Sequence, residues 1–271
     1  MLRALPGGVS LPWSDGGSYE FLMGRWSRIL AQRFVGWVQL PPDAGVLDVG
    51  CGTGAVSEAL AKAGAGRIVG VDPSPGYIAH VSASVGRQFP HASFEVGDAM
   101  ALRFPDDRFD AAVCGLVLNF VPDAAAAVRE MRRVVRPGGV VAAYVWDYAG
   151  RMELIRRFWD AAVAVDPAAA KVDEGLRFPI CNPEVLQETF EEAPLLRVET
   201  TNIDQPITFG NFDDYWTPFL GGQGPSGGYA MKLSEDHRAR LRERLRSDLR
   251  TNPDGSIPMV LRAWVARGAK A

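Results

Sequence analysis

Apolar positions along the chain fall into two alternating periods. From Tyr19 to Leu40, Phe21, Leu22, Trp26, Ile29, Leu30, Phe34 and Trp37 recur three and four residues apart, which predicts an amphipathic helix. Pro41 and Pro42 end it, since neither can continue the helical hydrogen bonding. Short runs that read as strands follow at 46–49, 67–71, 92–96, 109–114 and 140–146. Between them lie helical stretches at 55–64, 75–88 and 123–136, the last opened by Asp123 as a cap and closed by Pro137-Gly138-Gly139. Strand–helix alternation of this kind predicts a parallel sheet covered on both faces. Right-handed crossovers then bring every strand's carboxyl end to one edge.

The second half is less regular. Helices are expected at 150–165 and 183–192, and β-like runs at 195–209 and 257–267. Between the two β runs lie a glycine-rich stretch, 221–228, which reads as a mobile lid or a flexible connector, and a basic helix from Arg238 to Arg246. The leucines of that helix keep helical spacing, so its arginines read as the solvated face of an amphipathic element. No repeat and no linker divides the chain. It is expected to be one domain over 1–271, with an N-terminal cap segment at 1–42 and a core at 43–147. The remaining part, 148–271, is expected to carry a cap insertion at about 210–255.

Charge removes some classes of function. With 29 Lys+Arg against 32 Asp+Glu the net charge is −3, which gives no reason to expect nucleic acid as a partner. The three cysteines, Cys51, Cys114 and Cys181, are far apart and lack zinc or disulfide spacing, so no metal is expected. No segment approaches the roughly 20 apolar residues that span a bilayer, and the start of the chain lacks a signal-peptide pattern. The expected setting is the cytoplasm, without a membrane partner.

The chemistry sits where the first strand opens into a helix: Val46-Leu-Asp-Val-Gly-Cys-Gly-Thr-Gly54. Glycines at this point allow a sharp turn and close approach of a ligand to main chain, beside the switch point where doubly wound sheets bind ligands. By itself the turn also fits the relaxed dinucleotide fingerprint ending in Ala55. The neighbouring acids argue otherwise. Asp48 would repel a pyrophosphate and attract a ligand carrying ammonium and sulfonium groups. Asp72, ending the second strand, is placed to accept from both ribose hydroxyls, and Asp98, after the third, from an exocyclic adenine amine.

In these pieces, together with Val69-Gly-Val-Asp-Pro-Ser74, Gly97-Asp-Ala-Met100, 109–123 and Arg136-Pro-Gly-Gly139, the chain resembles the class I (Rossmann-like) S-adenosylmethionine-dependent methyltransferases. The nearest resemblance is to the ubiquinone/menaquinone-biosynthesis-like (type 11) branch. It covers about 43–147. The resemblance implies an α/β, doubly wound, seven-stranded, mostly parallel sheet. The last strand, here 257–267, would run antiparallel between the fifth and sixth, with a helical cap formed by the N-terminal helix and insertions. It implies S-adenosyl-L-methionine as cofactor and S-adenosyl-L-homocysteine as product. Asp48, Gly50, Cys51, Gly52 and Gly54 would lie against the methionine moiety, Asp72 and Pro73 against ribose, and Asp98, Ala99 and Met100 against adenine. Leu116, in the segment 115–119, would line the site beside the methyl donor.

The N-terminal run Tyr19-Glu-Phe-Leu-Met-Gly-Arg25 resembles a signature of one bacterial group of this branch, which would add Tyr19 and Arg25 to the donor site; the alternative is that Tyr19, Met23 and Trp26 are core residues. The implied reaction is methyl transfer to a small-molecule acceptor by in-line displacement, in which positioning carries much of the rate. The aromatic residues Trp146, Tyr148, Trp159, Phe212, Tyr215 and Trp216 are candidates for the acceptor pocket. His80, His91 and His237 read as surface or structural, so no catalytic base is assigned. The competing readings are a nicotinamide oxidoreductase on the same scaffold and a non-catalytic S-adenosylmethionine-binding or scaffold protein.

Overall fold

A computed structural model describes residues 23–222 and 224–271. Helix α1 (Arg25–Val38) buries Trp26, Leu30, Phe34 and Val38, the stripe its sequence period specifies. Strand β1 (Gly45–Val49) leads through the glycine turn into α2 (Ala55–Lys62). Strand β2 (Arg67–Asp72) is followed by α3 (Pro75–Val81), which starts at Ser74, whose hydroxyl accepts from the Tyr77 amide. A π-helical turn, Ser82–Gly86, extends it to the length expected from the sequence. Strands β3 (Ala92–Val96) and β4 (Phe109–Gly115) lie close to their expected bounds. Asp123 caps α4 (Ala124–Val134) by accepting from the Ala126 amide, as its position foretold.

Strand β5 (Val135–Trp146) starts earlier than expected, because the Arg136-Pro-Gly-Gly139 turn is drawn into the sheet with a register shift against β4 between Phe109 and Ala111. Then come α5 (Glu153–Val165), the short α6 (Glu174–Arg177), α7 (Pro183–Glu191) and β6 (Leu196–Phe209). Helices α8 (Phe212–Trp216), α9 (Gly224–Lys232) and α10 (Glu235–Asp248) precede β7 (Ile257–Ala269).

The sheet order is β3-β2-β1-β4-β5-β7-β6. Strands β1 to β5 pair in parallel, and β7 runs antiparallel to both β5 and β6, the insertion expected from the last β run. The order reverses between β1 and β4, so the crevice of the sheet opens at their carboxyl ends. Strands β1 and β4 and the 139–146 part of β5 are mainly apolar and almost wholly buried, as a parallel sheet with covered faces requires. Among the described residues no helix is long and apolar enough to cross a membrane.

One expectation is corrected. The glycine-rich stretch is not a loop throughout: from Gly224 it winds into α9, with Ser226, Gly227 and Ala230 buried. A Cβ on Gly227 would stand 3.1 Å from the Phe219 carbonyl oxygen, so its lack of a side chain serves close packing of the cap. The basic helix α10 behaves as its pattern specified. Leu241 and Leu245 are buried, and Arg238 closes the end of α9 by donating to the Ala230 and Leu233 carbonyls.

Candidate functional site

The turn after β1 is held in place by its own amides. The Gly50 and Cys51 N–H groups both donate to the Val71 carbonyl, at 2.7 and 2.9 Å, and Gly54 N–H donates to Cys51 O at 2.8 Å. The Gly52 N–H donates to the Asp72 carboxylate at 3.1 Å. A phosphate cradle needs such amides pointing outward and unengaged. Here they are occupied within the protein, which argues against a pyrophosphate and agrees with the charge of Asp48.

Two of the glycines are sterically required. A Cβ on Gly50 would fall 2.4 Å from Val117 Cγ2, and one on Gly54, at φ +93°, 2.6 Å from Val81 Cγ2 and 2.8 Å from Val85 Cγ2. Gly54→Ala is therefore expected to destabilise the fold by about 2 kcal/mol, from the left-handed backbone and the overlap together. A denaturant midpoint equal to wild type would show that the loop tolerates a side chain there. At Gly52 the nearest atom to a Cβ is 4.0 Å away, so this glycine leaves open space over the turn.

Asp48 lies beneath the loop with no exposed surface. One oxygen accepts from the Ser57 hydroxyl at 2.6 Å, and the other, Oδ1, has no partner. Burial pushes its carboxyl up to about 7, against the pull of Ser57 and with a smaller push from the Asp72 charge. Asp72 is buried too, and burial raises its carboxyl against the pull of the Ser74 and Gly52 amides. Burial and these two acids push the Cys51 thiol well up, so it is a neutral apolar wall rather than a nucleophile. An orphaned carboxylate oxygen in a sealed niche is a costly arrangement, and a cation nearby relieves it.

The other residues singled out by sequence are spread around the same edge. Asp98 is exposed and accepts from the Met100 amide in a turn that brings Asp98 and Ala101 together, with Ala99 and Met100 half-buried between them. Pro73 is exposed next to Asp72. Leu116, directly after β4, adopts φ +61°, a conformation that costs a branched residue about 1–2 kcal/mol. It is anchored by donating its N–H to Tyr144 O. The strained residue lies where the segment turns toward the glycine loop, and Val117 reaches Gly50.

Arg25 stacks over Trp26 and Phe209, 4.1 and 5.1 Å from the ring centroids, and pairs with Asp214 at 3.2 Å. Met23 and Trp26 are buried in the core; Tyr19 lies outside the described residues. Of the candidate acceptor residues, Trp159 and Tyr215 are fully buried, with the Trp159 indole donating to Glu174 and the Tyr215 hydroxyl to Leu154 O. They hold the cap together. Trp146 and Tyr148 stand at and just past the end of β5, and Phe212 and Trp216 pack within α8.

Sequence reasoning missed a cluster next to Tyr148. Phe178 meets Phe120, which follows β4, edge-on at 5.3 Å, and meets Tyr148 at 5.8 Å. Three contacts press the α6 segment onto this place. Asp173 grips Arg156 with both oxygens, at 3.1 and 2.6 Å. Glu174 takes the Trp159 indole N–H at 2.7 Å. Gly175 fits so closely that a Cβ would stand 3.0 Å from Ala149 Cα and 3.1 Å from Tyr148 O. Nothing in the local periodicity signals these pairings, since each joins residues from separate elements.

Comparison with known proteins adds the following. Residues 47–143 match a family described as a methyltransferase domain. The chain is 30% identical, over 187 residues, to the 2-methyl-6-phytyl-1,4-hydroquinone methyltransferase of Synechocystis; the match covers 68% of this chain and 57% of that protein. The chain thus spans little more than half the length of that relative. Among solved structures, the Haemonchus contortus phosphoethanolamine N-methyltransferase 2 in complex with S-adenosyl-L-methionine superposes with a TM-score of 0.60 at 15% identity, covering 96% of this chain and 57% of that one. The [4+2]-cyclase SpnF superposes at 0.56 with 18% identity, covering 90% and 82%. A cyclase on the same fold means that the architecture alone does not fix a reaction.

Proposed function

We propose that this chain is a class I S-adenosylmethionine-dependent methyltransferase of the quinone-biosynthesis-like branch and that it transfers the methyl group of S-adenosylmethionine to a small-molecule acceptor, a reading supported by the methyltransferase-domain match over residues 47–143 and the likeness to a hydroquinone methyltransferase. The observation that carries the reading is the sealed Asp48 carboxylate under a glycine turn whose amides are already engaged. That combination suits a ligand with positive charge better than a phosphate, since the amides of all three glycines of the turn are already engaged.

In this reading Asp48 acts from beneath the loop as a buried negative charge that favours the cationic methionine end of the donor, while Gly50, Cys51, Gly52 and Gly54 form the floor under that end. Asp72 keeps lone pairs for the ribose hydroxyls after serving Gly52 and Ser74, since a carboxylate can accept about four hydrogen bonds. Pro73 flanks the ribose, and Asp98 with Ala99 and Met100 forms the rim against adenine. Leu116 closes the side toward the acceptor. Arg25 joins the donor site only by exchanging Asp214 for the donor's carboxylate. The donor supplies an already activated methyl group, so the protein's share is to hold the nucleophile in line with it and to exclude water. We assign the whole chain to one domain, with 148–271 supplying the acceptor side, and place it in the cytoplasm.

Calorimetric titration tests the reading. Micromolar binding of S-adenosylmethionine and S-adenosylhomocysteine is expected, with none of NAD; folded protein that ignores both sulfur ligands would overturn it. Asp98→Ala is expected to weaken donor binding by only about 1 kcal/mol, or roughly fivefold, because an exposed carboxylate competes with water for the adenine amine. Unchanged affinity in that variant would remove Asp98 from the site.

A further inference from the structure

Asp48 has no exposed surface, and none of the elements packed around it supplies a counter-ion. In β1 it stands between Gly70 of β2 and Val113 of β4. From α2 the Ser57 hydroxyl donates to Oδ2, while Oδ1 has no hydrogen-bond partner. The end of β2 brings a second acid, Asp72, whose charge works against ionisation of the first. The glycine turn and the end of β4 contribute the thiols of Cys51 and Cys114, both held neutral by burial. The charges of α2 are spent on each other: Lys62 pairs with Glu58, which Arg28 of α1 also holds. Among the described residues Asp48 has no ion pair.

Packing does not require an acid at this position. An asparagine would accept the same Ser57 hydroxyl without the cost of a buried charge. What an acid adds is the ability to change its charge, and that charge is felt across the glycine turn. After burial it is the larger of the two charge effects that drive up the thiol of Cys51, a residue of the turn itself. A cation resting on the turn would feel it with the opposite sign. S-adenosylmethionine carries an ammonium, a sulfonium and a carboxylate, one net positive charge. Its demethylated product keeps the ammonium and the carboxylate and is net neutral.

We propose that donor binding is coupled to proton release at Asp48: the empty site holds this carboxyl neutral, the arriving cation drives its proton off, and loss of the sulfonium charge on methyl transfer lets the proton return as the product leaves. This rests on the methyltransferase reading above and adds a pH dependence to it. On binding, the Asp48 O–H bond breaks, its electron pair stays on the carboxylate and the proton passes to solvent; after transfer the same step runs in reverse. The acid thereby favours the charged donor over the neutral product and helps to clear the site for the next turnover.

The electrostatics give the window. Burial pushes the Asp48 carboxyl up to about 7, against the pull of the Ser57 hydroxyl and amide. A cation beside it lowers that value in the complex. Below about pH 7 the empty site holds the proton and the donor must displace it, so donor affinity rises with pH to that point and levels off above it.

The test is calorimetric titration of the full chain with S-adenosylmethionine and S-adenosylhomocysteine in phosphate and in imidazole buffer, whose different heats of ionisation reveal the protons exchanged. At about pH 6.5 wild type is expected to release roughly half to three-quarters of a proton per donor bound. Its donor affinity is expected to rise about five- to tenfold from pH 6 to pH 8. Asp48→Asn is expected to release none beyond what the ligand itself exchanges, and to bind with a flat pH profile. With wild type the product is expected to release less than half as much as the donor, and to keep its affinity within about twofold over the same range. Glu174, raised into the same range, is present in both proteins and drops out of the comparison. Equal proton release by wild type and a folded Asp48→Asn overturns the coupling at Asp48. Equal release by donor and product overturns the return of the proton on methyl transfer. Should the asparagine variant not fold, Ser57→Ala replaces it: losing a hydrogen bond that favours the charged form is expected to move the rise in affinity to higher pH, and an unmoved rise overturns the assignment to Asp48. A wild-type donor affinity that is flat over about pH 6 to 8 overturns the proposal whatever the variants do. A folded chain that binds neither ligand at any pH overturns the methyltransferase reading, and this inference with it.

Discussion

Asp48→Asn is expected to make the ligand-free protein more stable at neutral pH and a poorer binder of its donor. In the folded chain the Asp48 carboxyl is pushed up to about 7 from its ordinary 3.8, chiefly by complete burial. The unfolded chain gives up this proton near pH 4, whereas the folded chain keeps it until about pH 7. Between those values the folded state holds the extra proton, so stability falls as pH rises, by up to about 4 kcal/mol once both states are ionised. Asparagine has no proton to lose. Its amide oxygen still accepts from Ser57, but its nitrogen inherits the position of the unpartnered oxygen, which reduces the net gain to about 2–3 kcal/mol. Denaturant unfolding at pH 4 and pH 7.5 gives the comparison. A shallower fall with pH is expected in the variant, with a remainder from Glu174, which is raised in the same sense. Curves that run parallel would show that the niche does not penalise the charge. Binding moves the other way: at pH 8 the loss of the carboxylate is expected to weaken S-adenosylmethionine by roughly 10- to 100-fold, and more than the uncharged thioether product.

The second large effect is expected at Asp72. Asp72→Ala removes the carboxylate that the ribose reading requires and frees the Gly52 and Ser74 amides that it gathers. A buried, charge-assisted pair of hydrogen bonds corresponds to about 2–3 kcal/mol, so donor affinity is expected to fall roughly 30- to 150-fold. Asp72→Asn keeps one acceptor oxygen and is expected to fall between. Calorimetry with S-adenosylhomocysteine reads both, and circular dichroism checks the fold. Equal affinities across the three proteins would detach Asp72 from the ligand and leave it as a tie between β2 and the glycine turn.

The glycine turn and its two buried acids were largely legible in the sequence because their parts are local. A glycine must sit where φ is +93° and two valines crowd the backbone, and an acid inside an apolar strand stands out against its neighbours. The antiparallel β7 was likewise announced by one long β run and the family resemblance. The cluster around Phe178 was not legible. Its contacts join Phe120 to Phe178, Trp159 to Glu174 and Arg156 to Asp173, and no local period encodes such pairings. The two most buried of the expected pocket aromatics, Trp159 and Tyr215, proved to be cap core, since a large ring looks the same in sequence whether it meets a ligand or another ring. At 221–228, local glycine content argued for a loop, but packing of Tyr229 against Phe158 and Trp159 helps hold a helix there.

The placement of β7 has a consequence for how the chain is made. Among the described residues strand β6 has β7 as its only sheet neighbour, and residues 210–256 separate the two in sequence. On a ribosome adding about 5–20 residues per second, β6 and the flank of β5 wait several seconds with open edges before their shared partner emerges. During that interval both edges are templates for stray pairing. Nascent chains stalled before Ile257 are therefore the species that a chaperone would need to shelter, although the glycine turn and both of its acids have long been translated.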